Sequence, residues 1–399
     1  MRISTANSYQ TSLDSLVDRQ ANLSRTQEQM TTGKRVNRAG DDPAAAARTE
    51  RALASQQRGV ASQRAVDASN NAMALTESAL GSATELLQTA REALVSAGNA
   101  SYGDSDRAIL ANQLAGIRQQ LFSVANSTDG AGTYLFGGQG SNQPPFVDAA
   151  GGVQFHGTAG ATLSASGETL PLTMDGRPTW MQARTGNGVF ETRAVTSNGS
   201  AWIDPGSVTD PSQIDGVSTY KIQFSVAGPA TTYSILKNGL PTAQTNVAFS
   251  PGQAVQIDGM SAKISGQPAN GDEFDIVPST STLSVFDTLD KAIADLKTPN
   301  RTGTQVTQSN SANLARLDSV LSQAVAGRGQ VGATMTRIDN ATARLSDLKL
   351  ASQTELSNAQ DLDMTQAISD FSSRQTGYDA ALKAYSMVQR LSLFNYLSS

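Results

Sequence analysis

The sequence has no cysteine and a single histidine, His156, among its 399 residues. The absence of cysteine excludes a disulfide framework, a thiolate nucleophile and a cysteine-based metal site. A two-histidine zinc site is excluded within one chain as well. His156 stands in a glycine-rich stretch, where we expect a turn or surface position. We therefore predict neither a metal site nor a cofactor.

Basic clusters and long apolar runs are also missing. The net charge of -5 and the pI near 5.1 argue against a nucleic-acid-binding protein. No apolar run reaches the ~18 residues that a membrane span requires, so we expect no membrane insertion. The opening residues are polar and lack the apolar core of a secretory signal peptide. These features alone favour a cytosolic protein.

Proline divides the chain into three zones. All but one of the 13 prolines lie between Pro144 and Pro299, and the exception is Pro43. Because proline breaks helix interiors, the flanks at 44–143 and 300–399 are free to form long helices. The middle zone instead has short alternating runs separated by Gly, Pro, Asn and Asp, which predicts antiparallel strands at 219–226, 231–239, 254–265 and 272–278. Asn238-Gly239 and Asp258-Gly259 are expected to form tight turns.

Interrupted heptads mark both ends of the chain. The N-terminal stripe consists of Tyr9, Leu13, Leu16, Leu23 and Met30, and Gln20 and Gln27 fill its remaining positions. The C-terminal stripe consists of Met364, Ile368, Phe371, Tyr378, Leu382, Tyr385, Val388, Leu391 and Phe394, with Gln375 filling its gap. Polar seam residues reduce stability and set register, so we expect both stripes to pack between subunits. Neither segment is stable alone, and we expect both to become ordered on contact with a partner.

The stripes between these ends are interpreted as an ordinary helical core. Asp42 and Pro43 predict the cap and first residue of a long helix. Within 44–127 the stripe contains Leu53, Val60, Met73, Leu80, Leu87, Leu94, Ile109, Leu114, Ile117, Leu121 and Val124. Within 314–350 it contains Ile338, Leu345 and Leu348, and Leu356 and Leu362 recur on roughly the same face.

The expected fold is a multidomain α+β protein, in which long antiparallel or coiled-coil helices from both ends flank an inserted antiparallel β-rich domain. The N-terminal assembly segment, disordered or helical, pairs with the C-terminal end. The expected segments are 1–43 for N-terminal assembly, 44–140 for the first helical part, 141–282 for the β-rich outer domain, 283–362 for the second helical part and 363–399 for the C-terminal assembly helix.

Several segments resemble the flagellin superfamily and its hook-associated proteins. TGKRVNRAGDDPAAAARTERAL (32–53) is similar to the segment that leads into the first long helix of that superfamily. The junction members of the family share the similarities at MRIST, GTYLFGGQGSNQPPF (132–146), GQVGATMTRID (329–339) and ALKAYSMVQRLSLFNYLSS (381–399). GQPANGDEFDIVPS (266–279) is similar to a strand of their β-domains.

The resemblance implies a structural, non-enzymatic subunit of the extracellular bacterial flagellum. It implies self-association in a ring or short helical layer, with another hook-associated protein on the hook side and flagellin on the filament side. It also implies export through the flagellar type III channel and an export chaperone at the C-terminal region. Leu382, Tyr385, Val388, Leu391 and Phe394 are the residues expected to contact both the chaperone and the assembled core.

Three alternatives remain open. Flagellin, the bulk filament subunit, is the nearest, although the opening, the LFGG segment and the ending favour a junction protein. The first hook-associated protein should be longer and open differently. A carboxylate-dependent enzyme such as a glycosidase would use paired acids of the middle zone, and the candidates are Asp204, Asp210, Asp215, Asp272, Glu273 and Asp275. We interpret these acids as solvated turn residues, since aspartate favours turns.

Overall fold

The computed structural model describes residues 5–140, 142–164 and 169–397. Its α-helices are α1 Thr5–Thr32, α2 Pro43–Ala97, α3 Asp104–Ala125, α4 Gly176–Met181, α5 Val285–Lys297, α6 Gly303–Gln360 and α7 Met364–Leu397. Its strands are β1 Phe146–Ala149, β2 Gly152–Phe155, β3 Ala183–Arg184, β4 Phe190–Thr196, β5 Trp202–Ile203, β6 Ser207–Val208, β7 Tyr220–Ala227, β8 Ala230–Lys237, β9 Leu240–Pro241, β10 Val247–Ala248, β11 Ala254–Ile257, β12 Met260–Ser265, β13 Glu273–Pro278 and β14 Ser281–Leu283. This confirms the predicted fold class. No helix in these ranges is both long and apolar enough to cross a membrane.

The chain forms two compact units. Unit 1 consists of Met1–Arg64 and Ala341–Ser399, and it contains α1 and α7. Unit 2 is the continuous stretch Ala65–Asn340, and it contains α3, α4, α5 and the β-strands.

The heptads of α2 are buried within unit 2. Met73, Leu80, Leu87 and Leu94 are buried, and so are the small companions between them, Thr76, Ala83, Ala90 and Ala97. Small seam residues allow neighbouring helices to approach closely, which explains why this stretch forms the helical core. The core interpretation is wrong, however, for Leu53, Val60, Ile109 and Leu348, which are exposed. Leu53 and Val60 are seven residues apart, but they lie outside the heptad register of Met73 and Leu80, and the four exposed side chains face solvent.

Aromatic rings fill the region where α3, α4 and α5 meet β1. Trp180 and Phe286 stack with their ring centroids 6.0 Å apart and their planes 9° from parallel. Phe146 packs edge-on or tilted against both rings. Both Trp180 and Phe286 are fully buried, so this cluster anchors the chain around Phe146 and Trp180 to the helices.

The β-rich part has the predicted antiparallel strands. The main sheet has the order β10-β8-β7-β13-β4, and β7 and β8 form a hairpin in full register. Asn238 and Gly239 form the turn between β8 and β9, at φ of 52° and 81°, as a type I′ turn requires. The β11–β12 hairpin uses Asp258 and Gly259 in the same way, so both predicted turns are confirmed.

One face of α6 holds the β-rich part of unit 2 through hydrogen bonds to its main chain. The Gln308 side-chain oxygen accepts the Ile203 N–H at 2.8 Å, and Gln323 donates to the Pro178 carbonyl at 3.0 Å. Ser319 donates to the Arg184 carbonyl between them. These bonds pair main-chain groups that would otherwise lack partners at the helix–sheet contact.

Candidate assembly surface

The link between α1 and α2 is joined to the link between α6 and α7. Helix α1 ends at Thr32, and Gly33 follows with a positive φ of 68°, the left-handed conformation typical of a helix end. The Leu362 N–H donates to the Gly33 carbonyl at 3.0 Å, and the Arg35 N–H donates to the Gln360 carbonyl at 2.7 Å. These two bonds bring the N-terminal and C-terminal ends of the chain together in unit 1.

Charged side chains stabilise this joint. The Arg35 guanidinium donates to the Ala359 carbonyl and to the Asp42 carboxylate, each at 3.0 Å. Asp42 caps α2 by accepting the Ala45 N–H at 2.9 Å, as predicted. That main-chain bond, together with Arg35, lowers the pKa of Asp42 below its usual value. Arg35 and Asp42, which belong to the 32–53 segment, therefore stabilise the joint between the two links.

Helices α1 and α7 run antiparallel. The Arg374 side chain donates to the Asn22 carbonyl at 3.3 Å. Further along, the Tyr9 and Tyr385 rings lie 5.5 Å apart, and their hydroxyl groups are hydrogen-bonded. The contacts pair Asn22 with Arg374 and Tyr9 with Tyr385, so residue numbers fall along α1 as they rise along α7. The two helices therefore run in opposite directions.

This register places the two predicted stripes side by side. Tyr9, Leu16, Leu23 and Met30 are seven residues apart, and they lie opposite Tyr385, Tyr378, Phe371 and Met364, which have the same spacing. All except Tyr9 and Met364 are half-buried in the chain. This half of the predicted set therefore packs within one chain.

The other half of the stripe remains exposed. The register places Leu13 opposite Leu382, with Gln20 and Gln375 in the next layer. Ile368 follows at the end of the same row, and it is 52% exposed. An exposed apolar row next to a formed seam is a surface on which a further helix can pack.

Three predicted residues cannot be placed in the same way. The α7 backbone is helical through Val388, Leu391 and Phe394. Their side chains lie outside the residues that the structure describes. Their expected role in assembly stays a prediction.

Two small residues of the α1–α7 seam were missed by the sequence reasoning. Thr26 and Ala367 are the most buried of the described side chains in their helices, at 4% and 5% exposure, and the register places them next to each other. Thr26 satisfies its hydroxyl by donating to the Asn22 carbonyl at 2.9 Å. A search for small as well as large residues at heptad spacing would have found them.

The carboxylates proposed for an enzyme are engaged in turns. Asp215 accepts the N–H groups of Val217 and Ser218 at 3.0 Å and 2.9 Å. Bonds from Ser218 and Val217 lower the pKa of Asp215. Asp210 caps the 3-10 helix Pro211–Gln213.

The remaining acids also have partners. Asp204 accepts N–H groups from Gly206 and Lys263. Asp272 is fully buried and accepts three main-chain N–H groups, from Asn198, Gly199 and Ala269. Glu273 is paired with Lys221.

Asp275 lies in strand β13, as Glu273 does. Its Oδ1 is buried without a hydrogen-bond partner in the structure. No cluster of three or more His, Asp or Glu side chains suited to a metal ion occurs in the described part of the chain. His156 is exposed immediately after β2, as expected for a surface residue.

The terminal helices match two family models. The bacterial flagellin N-terminal helical region matches residues 3–141, and the flagellin C-terminal helical region matches residues 314–397. Together these matches cover more than half of the chain, including both helices of the seam. The chain belongs to the flagellin family.

Within that family the full-length similarity is to hook-associated protein 3. The chain is 28% identical to the flagellar hook-associated protein 3 of Salmonella typhimurium over 398 residues, which is 99% of each protein. A crystal structure of Xanthomonas campestris FlgL is 29% identical, with a TM-score of 0.68 over 77% of this chain and 99% of that one. The flagellar junction protein FlgL from Legionella pneumophila is 25% identical, with a TM-score of 0.65 over 70% and 94% of the two chains.

Proposed function

We propose that this chain is a structural subunit of the bacterial flagellum that joins the hook to the filament. The observation that carries the proposal is the exposed apolar row of Leu13, Leu382 and Ile368 beside the α1–α7 seam. In the assembly, a helix of a neighbouring subunit packs against this row and completes a larger bundle. The full-length likeness to hook-associated protein 3 and the likeness to a junction protein support this function over that of a bulk filament subunit.

The proposed assembly is a ring or short helical layer of copies. Its neighbours are another hook-associated protein on the hook side and flagellin on the filament side. Helix packing between unlike subunits suits such a junction, because apolar rows adapt to different partners more readily than charge pairs do. Before assembly the chain is exported, with a chaperone covering the apolar C-terminal segment that includes Val388, Leu391 and Phe394.

No chemical step is part of the proposed function. Five of the six acids considered for catalysis accept turn N–H groups or form ion pairs, and this structural role is sufficient to explain their presence. The protein acts through shape and packing, as a subunit that mechanically couples two polymers.

Deletion of the gene in the native host tests the proposal. We expect hooks without filaments by electron microscopy, with monomeric flagellin shed into the medium. Loss of secreted flagellin would instead indicate a role in export. Intact filaments on motile cells would contradict the junction role.

A further inference from the structure

The charges of α2 are segregated along the helix. Residues 43–64 contain four arginines and one glutamate, whereas residues 65–97 contain four acidic side chains and one arginine. The two ends of this helix therefore present opposite charge, and each end belongs to a different compact unit.

The basic end of α2 forms one wall of an open groove in unit 1. This groove, which we call the α2–α6 groove, has a volume of about 720 Å³ and is lined by Arg58, Val60, Arg64, Leu345, Leu348 and Lys349. Val60 and Leu348 are 50% and 59% exposed, so the apolar lining faces solvent. A groove of this composition fits an apolar helix face that carries acidic side chains.

In the part of the chain that the structure describes, the cations of the groove have no carboxylate partners. Among the ion pairs of residues 5–140, 142–164 and 169–397, none involves Arg58, Arg64 or Lys349. By contrast, the arginines of the α2–α6 contact in unit 2 are paired, Arg91 with Asp318 and Arg328 with Glu77. The groove thus carries positive charge that is free to attract an acidic surface.

The acidic end of α2 provides a complementary surface. Glu85 and Glu92 are exposed and seven residues apart, so they lie on one face of the helix. Val95, 53% exposed, continues that face three residues later. Neither glutamate has a cation partner in the part of the chain that the structure describes. We call this the Glu85–Val95 face.

We propose that the α2–α6 groove of one copy binds the Glu85–Val95 face of a second copy. This inference rests on the proposed function, since it requires copies of the chain to assemble. Binding between two identical grooves is disfavoured, because it would bring Arg58 and Arg64 of one copy against the same residues of the other. Groove-to-face contact instead pairs opposite charges and covers Val60, Leu348 and Val95 together.

The contact is heterologous, because each copy uses two different surfaces. Each copy therefore offers one groove and one face, and repetition of the contact closes into a ring or continues as a helix. Such a contact weakens as salt rises, since exposed charge pairs are screened within about 8 Å at physiological ionic strength.

Engineered cysteines test the contact directly, because the native chain has none. The double variant Leu348→Cys, Val95→Cys is expressed in the deletion strain, and intact flagella are oxidised with copper phenanthroline. We expect a ladder of disulfide-linked dimers, trimers and higher multimers, and we expect no ladder from either single variant. Retained filaments without a ladder from the double variant would overturn this contact and leave the junction function intact. A ladder in a host whose filaments stay attached after gene deletion would support the contact and contradict the junction function.

A charge swap provides the second test. One variant combines Arg58→Glu with Arg64→Glu, and the other combines Glu85→Arg with Glu92→Arg. Each alone places like charges across the contact, and we expect at least a tenfold fall in the number of cells that retain filaments. Co-expression of the two variants recreates groove-to-face complementarity and should restore the filaments.

The matched control Lys263→Glu with Lys297→Glu makes the same change in net charge as the groove variant, at exposed positions elsewhere in unit 2. It should leave the filaments in place. Normal filaments on either swapped variant, or a failure of co-expression to restore them, would overturn the proposal. The second result would assign the groove to an acidic surface of a different protein.

Discussion

The Tyr9 ring lies 5.5 Å from the Tyr385 ring, with the ring planes tilted by 42°. The two residues are 376 positions apart in the sequence, and their hydroxyl groups are hydrogen-bonded. This contact fixes which heptad of α1 faces which heptad of α7. A slip by one heptad would pair Leu16 with Tyr385 and leave Tyr9 without its aromatic partner.

Removal of the Tyr385 ring should loosen the α1–α7 seam. An aromatic pair contributes about 0.5–1.5 kcal/mol beyond the area that it buries. We expect Tyr385→Ala to increase the amide exchange rates of residues 9–23 several-fold in the free chain, measured by hydrogen–deuterium exchange with mass spectrometry. Tyr102→Ala, between α2 and α3, is the control. Unchanged exchange in α1 would show that the tyrosine pair does not set the register.

Two glycines of α6 should respond to alanine in opposite ways. A Cβ at Gly327 would lie 2.9 Å from Thr179, a buried residue of α4, whereas a Cβ at Gly329 would meet nothing within 4 Å. Gly327→Ala should destabilise the chain by about 1–3 kcal/mol through overpacking. Gly329→Ala should stabilise it by about 1 kcal/mol through helix propensity. Urea unfolding measures both, and shifts of the same sign would contradict the α4–α6 contact.

The Gln308 side chain should hold the β-rich part against α6. Gln308→Ala leaves the N–H of buried Ile203 without its acceptor, which we expect to destabilise unit 2 by about 1–3 kcal/mol. Amide exchange at Ile203 should rise in parallel. Gln330→Ala, an exposed change in the same helix, should affect neither quantity. Equal effects of the two substitutions would show that the bond does not position the sheet.

Acid should weaken the contact between β4 and α6. Burial raises the pKa of Glu191, but its ion pairs with Arg193 and Arg316 outweigh burial and lower the pKa below the usual 4.5. Because the folded chain holds this proton less tightly than the unfolded chain, the pair stabilises the fold above about pH 4.5. That stability is lost as the pH falls through the lower, folded pKa.

Thermal unfolding between pH 3 and pH 6 measures this effect. Glu191→Gln should lower the midpoint at pH 6 and flatten its decline toward pH 3. Glu50→Gln, on the exposed side of α2, is the control and should follow the native chain. An unaltered pH dependence for Glu191→Gln would remove this ion pair from the account of stability.

Periodicity predicted the elements well, but it could not predict which stripes are covered. Leu80 and Val60 are both apolar residues of α2, yet Leu80 is fully buried and Val60 is half exposed. Burial depends on which other elements lie beside each turn of the helix, and a local pattern contains no such information. The sequence reasoning therefore interpreted the Val60 stretch as core.

The order of the strands in the main sheet could not be predicted from the sequence. The turn between β8 and β9 was predictable because Asn238 and Gly239 favour one turn type. The position of β13 between β7 and β4 depends on long-range pairing, such as that between Phe274 and Ile222, which no short motif encodes. The α1–α7 seam was found because its heptads occur at both ends, but its register required the Tyr9–Tyr385 contact.

The exposed row beside the α1–α7 seam is proposed to join this subunit to its neighbours. The measurement that tests this proposal most directly is electron microscopy of deletion cells that express Leu382→Asp together with Ile368→Asp. Both residues are exposed in the single chain, so the variant should fold and be secreted. Assembly would bury two unpaired charges, which costs several kcal/mol of binding free energy.

Leu240→Asp, an equally drastic change at an exposed leucine of the β-rich part, is the matched control. We expect filaments on the control cells, and hooks without filaments together with shed flagellin for the double variant. Filaments held normally by the double variant would contradict the proposed role of the row.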